Sequence, residues 1–202
     1  MDNKGIIAAL VDGLNRVDDI QVAEIPDIDL YMEQMLELLN RRLDGAKREP
    51  PDKGLTKMMV NNYTKEQLLM PPVNRRYGKY HILLLILICQ LKNTLSISDI
   101  KRLLTPVLND INTPEDDIIP LEYIYTTFLE LKREQYEEFP AYLARKRAYI
   151  ENKTTSLLDH HRDTAELFLT VLTLIAQANA SKRLAEKIID TCFAGGGTEP
   201  RP

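Results

Sequence analysis

Two stretches of the sequence hold residues whose types and spacing could do chemistry. The first is LLDHHRDTAE, residues 157–166, in which Asp159 and Asp163 bracket His160 and His161. Carboxylates and imidazoles this close invite a metal or acid–base reading. Helical geometry argues against it, because neighbouring residues on a helix point about 100° apart and the two histidines do not easily share one ion. The only other histidine is His81. The plainer reading is a polar helix N-terminus, where the dipole favours acids. No nucleotide loop, nucleophile elbow or zinc signature is present. Catalytic, cofactor-binding and metal-ligating residues are therefore assigned to none, and an enzyme is the least favoured class.

The second stretch is NNYTKEQLLMPPVNRRYGKYH, residues 61–81. It sits in a basic window. Residues 53–102 carry nine Lys/Arg (Lys53, Lys57, Lys65, Arg75, Arg76, Lys79, Lys92, Lys101 and Arg102) against two acids, Glu66 and Asp99. That window is +7 in a chain of net charge −4, which leaves the rest at −11. Such a bias suggests a surface that faces a polyanion. A solvated face on a small helical unit is the alternative that charge alone leaves open.

Composition frames the elements that must position these residues. The chain has 202 residues, 44% of them apolar, enough for one large domain or two small ones. Glycine is scarce, at 8 residues, and strands are hard to find, so helices are expected. The acidic, glycine-broken N-terminus is no secretory signal. The longest apolar run, Ile82–Cys89, is far short of the ~20 residues that span a bilayer. Cys89 and Cys192 make neither a disulfide framework nor a zinc cluster. Cys89 reads as a small core residue. A reducing cytoplasm fits these features.

Along the chain, residues 5–19 have helical apolar spacing through Ile6, Ile7, Leu10, Val11, Leu14 and Val17. A helix is expected to start at Pro26–Asp27, with Ile28, Tyr31, Met35, Leu38, Leu39 and Leu43 as its stripe and Gly45 as its stop. After a loop at 47–54, Thr56 caps a helix through Tyr63. Thr64 and Gln67 have capping-box spacing, so a short turn restarts there. Pro71-Pro72 ends it. VNRRYGKY is a tight turn with Gly78 as its permissive residue, compatible with a small β-hairpin. Tyr80–Leu91 is apolar all round and should be central. Ser96 caps the next helix, which buries Ile97, Ile100, Leu103, Leu104 and Leu108. In the C-terminal half, residues 120–138 turn Tyr123, Ile124, Phe128 and Leu131 inward, Pro140 interrupts, and 141–151 continue. Leu157–Asn179 is a long helix with Leu158, Ala165, Phe168, Leu172 and Ile175 on one stripe, widened by Leu167, Val171 and Leu174. That face can bury in its own domain or pair with a second copy. SKRLAEKIIDTCF is a last helix.

The order over residues 59–104 resembles the winged helix-turn-helix of MerR-type transcription regulators. The matching residues are Tyr63; Leu68, Leu69, Pro71 and Pro72; Arg75, Arg76, Tyr77, Gly78 and Tyr80; then Leu95, Ser96, Asp99, Ile100 and Leu103. Across its length, from IPDIDLYM through LTKMMVNNYTK to ISDIKRLL, the chain resembles a bacterial family catalogued as domain of unknown function 1836. The resemblance implies an all-α fold with a small hairpin wing: a MerR-like winged helix-turn-helix followed by a C-terminal helical bundle. Residues 1–25 are then an N-terminal amphipathic helix and 26–110 the DNA-binding domain. Residues 118–193 are a helical dimerisation or effector region, and 194–202 a disordered tail. The chain departs from the MerR pattern in the segment before its first helix and in a longer loop after it. It also has Asn61-Asn62 where an arginine usually stands.

In this reading a recognition helix presents Lys57, Asn61, Asn62 and Lys65 to the major groove. Asparagine can pair with an adenine edge, and lysines set register on phosphates. Arg75, Arg76 and Lys79 form the wing. Tyr77 and Tyr80 brace it against the core, with a hydroxyl free for a phosphate. For the asparagines, a helix C-terminus that uses left-handed geometry is the competing explanation; for the wing cations, a solvated turn. The expected partners are double-stranded DNA and a second copy of the chain in a homodimer, with no membrane and no cofactor. The function expected is a DNA-binding transcriptional regulator. The alternative is a winged-helix protein–protein interaction module without DNA binding.

Overall fold

The computed structural model describes residues 3–14, 19–43, 54–108 and 120–193. It is mostly helical, with one two-stranded sheet. The elements are α1 (Asn3–Leu14), a short 3-10 turn (Val22–Glu24), β1 (Leu30–Tyr31), α2 (Met32–Leu43), α3 (Lys57–Lys65), β2 (Arg76–Tyr77), α4 (Lys79–Leu91), α5 (Ile97–Leu108), α6 (Leu121–Thr154) and α7 (Asp159–Cys192). The chain divides into two compact units. One comprises residues 18–129 with 185–202, the other residues 1–17 with 130–184. Val17, Gly45, most of the 47–54 loop and the 194–202 tail lie outside the described residues.

In the first unit α4 is the central element, as its all-round apolar sequence requires. Every residue from His81 to Ile88 is buried. Met35 and Leu39 of α2, Val60 and Tyr63 of α3, Ile100 and Leu104 of α5, and Leu121, Tyr125 and Leu129 of α6 belong to the same core. The Tyr125 hydroxyl donates to the Ile20 carbonyl at 2.7 Å, and burial pushes its pKa up.

Several local expectations are corrected. No helix starts at Pro26–Asp27. Leu30–Tyr31 is instead a strand, paired antiparallel with Arg76–Tyr77 in the register Leu30 to Tyr77 and Tyr31 to Arg76. Ile28 and Tyr31 are therefore exposed rather than on a helical stripe. The Tyr31 N–H donates to Gln34 Oε1 at 3.0 Å, which satisfies a free donor as α2 begins. Thr56 does cap α3, accepting from the Met59 N–H at 3.2 Å. No turn restarts at Thr64. The Leu68 N–H bonds back to the Tyr63 carbonyl at 2.8 Å and Gln67 N–H to that of Thr64 at 3.1 Å, with Gln67 at φ 59°. This is a Schellman stop, with glutamine in the left-handed position usually held by glycine.

Gly78 is not the permissive residue of the basic turn. Asn74 and Arg75 take the left-handed conformation, at φ 51° and 63°. The Arg76 N–H closes the turn on the Val73 carbonyl at 2.9 Å. Two consecutive positive φ values give the type I′ geometry that suits a twisted hairpin. Gly78 precedes α4 at a close approach: a Cβ there would lie 2.8 Å from Asp29 Oδ1, so the Asp29 carboxylate would have to shift.

Ser96 caps α5, accepting from the Asp99 N–H at 3.2 Å and donating to its carboxylate at 2.6 Å. Ile97, expected inside, is 40% exposed. Pro140 does not interrupt α6, and no break separates SKRLAEKIIDTCF from α7. A proline inside a helix removes one backbone bond, to the carbonyl four residues back, and a long helix survives that loss. Tyr123 and Leu131 are exposed, because the buried row of α6 is Leu121, Tyr125 and Leu129.

In the second unit, Val11, Leu143, Ile150, Thr154 and Thr170 are buried. The α7 stripe stands exposed among the described residues. Phe168 is 63% exposed, Val171 57%, Leu172 48% and Ile175 54%.

Candidate nucleic-acid interface

The segment leading into α3 is held by one side chain. Asn40 of α2 donates to the Leu55 carbonyl at 2.9 Å and accepts from the Leu55 N–H at 2.7 Å. A Cβ on Gly54 would collide with that amide. With Val60 and Tyr63 buried, the opposite side of α3 faces outward. It carries Lys57, Met58, Asn61, Asn62 and Lys65, all exposed. Lys57, Asn61 and Lys65 recur every four residues, so they share one face. Neither asparagine has a positive φ, so left-handed geometry does not explain them. Lys57 lies 3.6 Å from Glu33, but both side chains are largely exposed. Such a pair is worth little and yields readily to another anion.

The basic turn is fastened from behind. Tyr77 is buried, with its ring edge-on to the His81 ring at 5.4 Å. It braces the turn, and burial raises its pKa. Tyr80, expected to brace the turn beside it, is exposed instead. His81 Nδ1 accepts the Gly78 N–H at 3.2 Å, which leaves Nε2 as the donor toward the Pro71 carbonyl at 3.4 Å. Burial lowers the His81 pKa below the ordinary imidazole value, against the opposing effects of the Pro71 bond and the Asp29 charge. One neutral imidazole thus ties the Pro71-Pro72 bend, the turn and α4 together.

At the surface of the turn, Arg75 and Arg76 are exposed. The Arg76 guanidinium stacks 4.9 Å from the centre of the Tyr31 ring and donates to its hydroxyl at 3.2 Å. The two residues are directly opposite across the sheet, so the stack follows from the register. Lys79 is placed differently. It is 25% exposed, 3.0 Å from Glu122 and 3.8 Å from Asp27. The Glu122 hydrogen bond holds its ammonium above the usual lysine range. A phosphate at Lys79 would have to displace two carboxylates. Sequence reasoning did not find Glu122 or Asp27 as its partners, nor Glu33 for Lys57. None lies at a short helical spacing from its lysine, so no local pattern signals them.

The DHHRD run opens α7 as a helix N-terminus. Among the described residues, no group of three His, Cys, Asp or Glu could hold a metal ion. No described helix is long and apolar enough to cross a membrane.

Together these features define a mostly helical protein with a basic, strand-supported turn on the unit that contains residues 18–129. Residues 20–128, more than half of the chain, match the family described as domain of unknown function (DUF1836), and the chain belongs to that family. No curated protein and no solved structure matches it.

Proposed function

We propose that the protein is a DNA-binding transcriptional regulator that docks α3 in the major groove and sets the Asn74–Arg76 turn, a MerR-like wing, on the flanking backbone. The observation that carries this reading is the exposed face of α3. It aligns two lysines and two asparagines, and no acid interrupts them. Lysine supplies phosphate contacts, and asparagine supplies an amide that matches the adenine edge. Both α3 and β2 pack against α2, so one scaffold supports the helix and the wing. The uncovered stripe on α7 supports a homodimer, which would read two half-sites related by a two-fold axis. Met58, 73% exposed on the same face of α3, favours the second reading, in which the face binds a protein.

Selection from a random duplex pool tests the choice. The proposal expects enrichment of a two-fold-related site. An Asn61→Ala/Asn62→Ala variant should retain weak binding to random duplex but lose the enrichment. If a folded wild-type protein retains no duplex at low salt, the DNA reading is wrong and the face belongs to a protein partner.

A further inference from the structure

In the unit of residues 1–17 and 130–184, α6 carries Tyr136, Phe139, Tyr142 and Arg145 at three-residue steps. On a helix this spacing makes a slowly drifting ladder about 13 Å long. The ladder lines a cleft of about 840 Å³, and Gln177 and Ser181 of α7 also line it. That volume is in the range that takes a small organic ligand. Phe139 and Tyr142 are already stacked, with ring centres 6.2 Å apart and planes 29° from parallel. Pro140, between them, has no N–H, so the Tyr136 carbonyl lacks its helical partner four residues on.

The charges around this wall are mostly positive. Lys132 lies 5.7 Å over the Tyr136 ring and Lys146 lies 5.6 Å over the Tyr142 ring. On the same helix, Arg133 and Arg147 pair with Glu137 and Glu151. Among the described residues Arg145 has no such partner. The one acid in the lining is Glu138, seven residues from Arg145 and so about 10 Å away along the axis. A cationic ligand would meet three cations beside these rings. An anionic one would meet an unpaired guanidinium, which binds carboxylates in a bidentate fork.

We propose that the cleft binds a small planar aromatic anion, with its ring against the Tyr136–Phe139–Tyr142 wall and its carboxylate on Arg145. Gln177 and Ser181 add hydrogen-bond donors to the lining. The site stands independently of the DNA reading, and its test contains no DNA. Isothermal titration calorimetry of the full chain with indole-3-acetate, indole and tryptamine holds the ring constant and varies the charge. Indole-3-acetate should bind at least about tenfold tighter than tryptamine, the effect of one charge-assisted pair. Arg145→Gln, on an exposed side chain, should erase that preference while indole still binds. Tyr142→Ala should weaken all three. Tryptamine binding as tightly as indole-3-acetate, an unchanged preference in Arg145→Gln, or no heat from any of the three at millimolar concentration would overturn the proposal.

Discussion

At φ 63°, Arg75 occupies backbone that glycine adopts without cost, and its side chain stands exposed in the basic turn. Arg75→Gly should therefore move two observables in opposite directions. Thermal stability should rise by about 1 kcal/mol, roughly what a side chain loses in left-handed backbone. Duplex affinity should fall, with the salt slope flatter by about one. A fall in both would mean that the arginine holds the fold rather than a partner. His81 gives a second test at this scale. Its folded-state pKa is lowered, so the fold favours the neutral ring. Stability is then fully present above the ordinary imidazole value, about 6.5, and declines as pH falls below it, because the unfolded chain takes up the proton first. Protonation would also put an N–H on Nδ1, facing the Gly78 N–H. Urea midpoints measured from pH 8 to pH 5 should show this decline in wild type and a flatter profile in His81→Asn. Some single-residue roles were legible in the sequence, such as the caps at Thr56 and Ser96, because a cap bonds its own side chain to a backbone N–H three residues on. The role of Gly78 was not. Its close approach is to the Asp29 carboxylate, which only the folded chain brings near.

Element by element, legibility followed how local each signal is. The interior of α4 was readable because no polar face interrupts its apolar run. The stripes of α2 and α5 were readable in part, through Met35, Leu39, Ile100 and Leu104. β1 was not, since two residues are too few to show alternation and the strand exists only through its partner β2. Pro140 read as a break, yet α6 runs through it, because a 34-residue helix survives the loss of one backbone bond. Asn40 tests how α3 is positioned. Asn40→Ala leaves the Leu55 N–H and carbonyl without their partner. Chemical denaturation should show a loss of about 1–3 kcal/mol. A change within a few tenths would mean that water replaces the amide and that α3 is held by its apolar face alone.

For the whole molecule, the C-terminal stripe of Phe168, Val171, Leu172 and Ile175 was visible as a periodicity, but whether it would be covered was not. Among the described residues it stands exposed. A second copy across this face is part of the proposed function, so Leu172→Glu should lower the sedimentation coefficient to that of a monomer and weaken binding to a two-half-site duplex. A wild-type protein that sediments as a monomer at micromolar concentration would remove the homodimer from the account. The site on the unit of residues 18–129 was legible as composition, nine cations against two acids over residues 53–102. What composition could not show is which cations are already paired: Lys79 is, while Arg75 and Arg76 face outward.

The central claim is that this basic face meets a polyanion. Its most direct test is fluorescence anisotropy on a random duplex across a salt series, comparing wild type with Arg75→Ala/Arg76→Ala. With Lys57, Lys65, Arg75 and Arg76 on phosphates, and Lys79 held by Glu122 and Asp27, log K should fall against log salt with a slope of about −3 to −4. The variant should bind more weakly, with a slope shallower by about two. A folded wild type that does not bind at low salt, or a variant with an unaltered slope, would contradict the account.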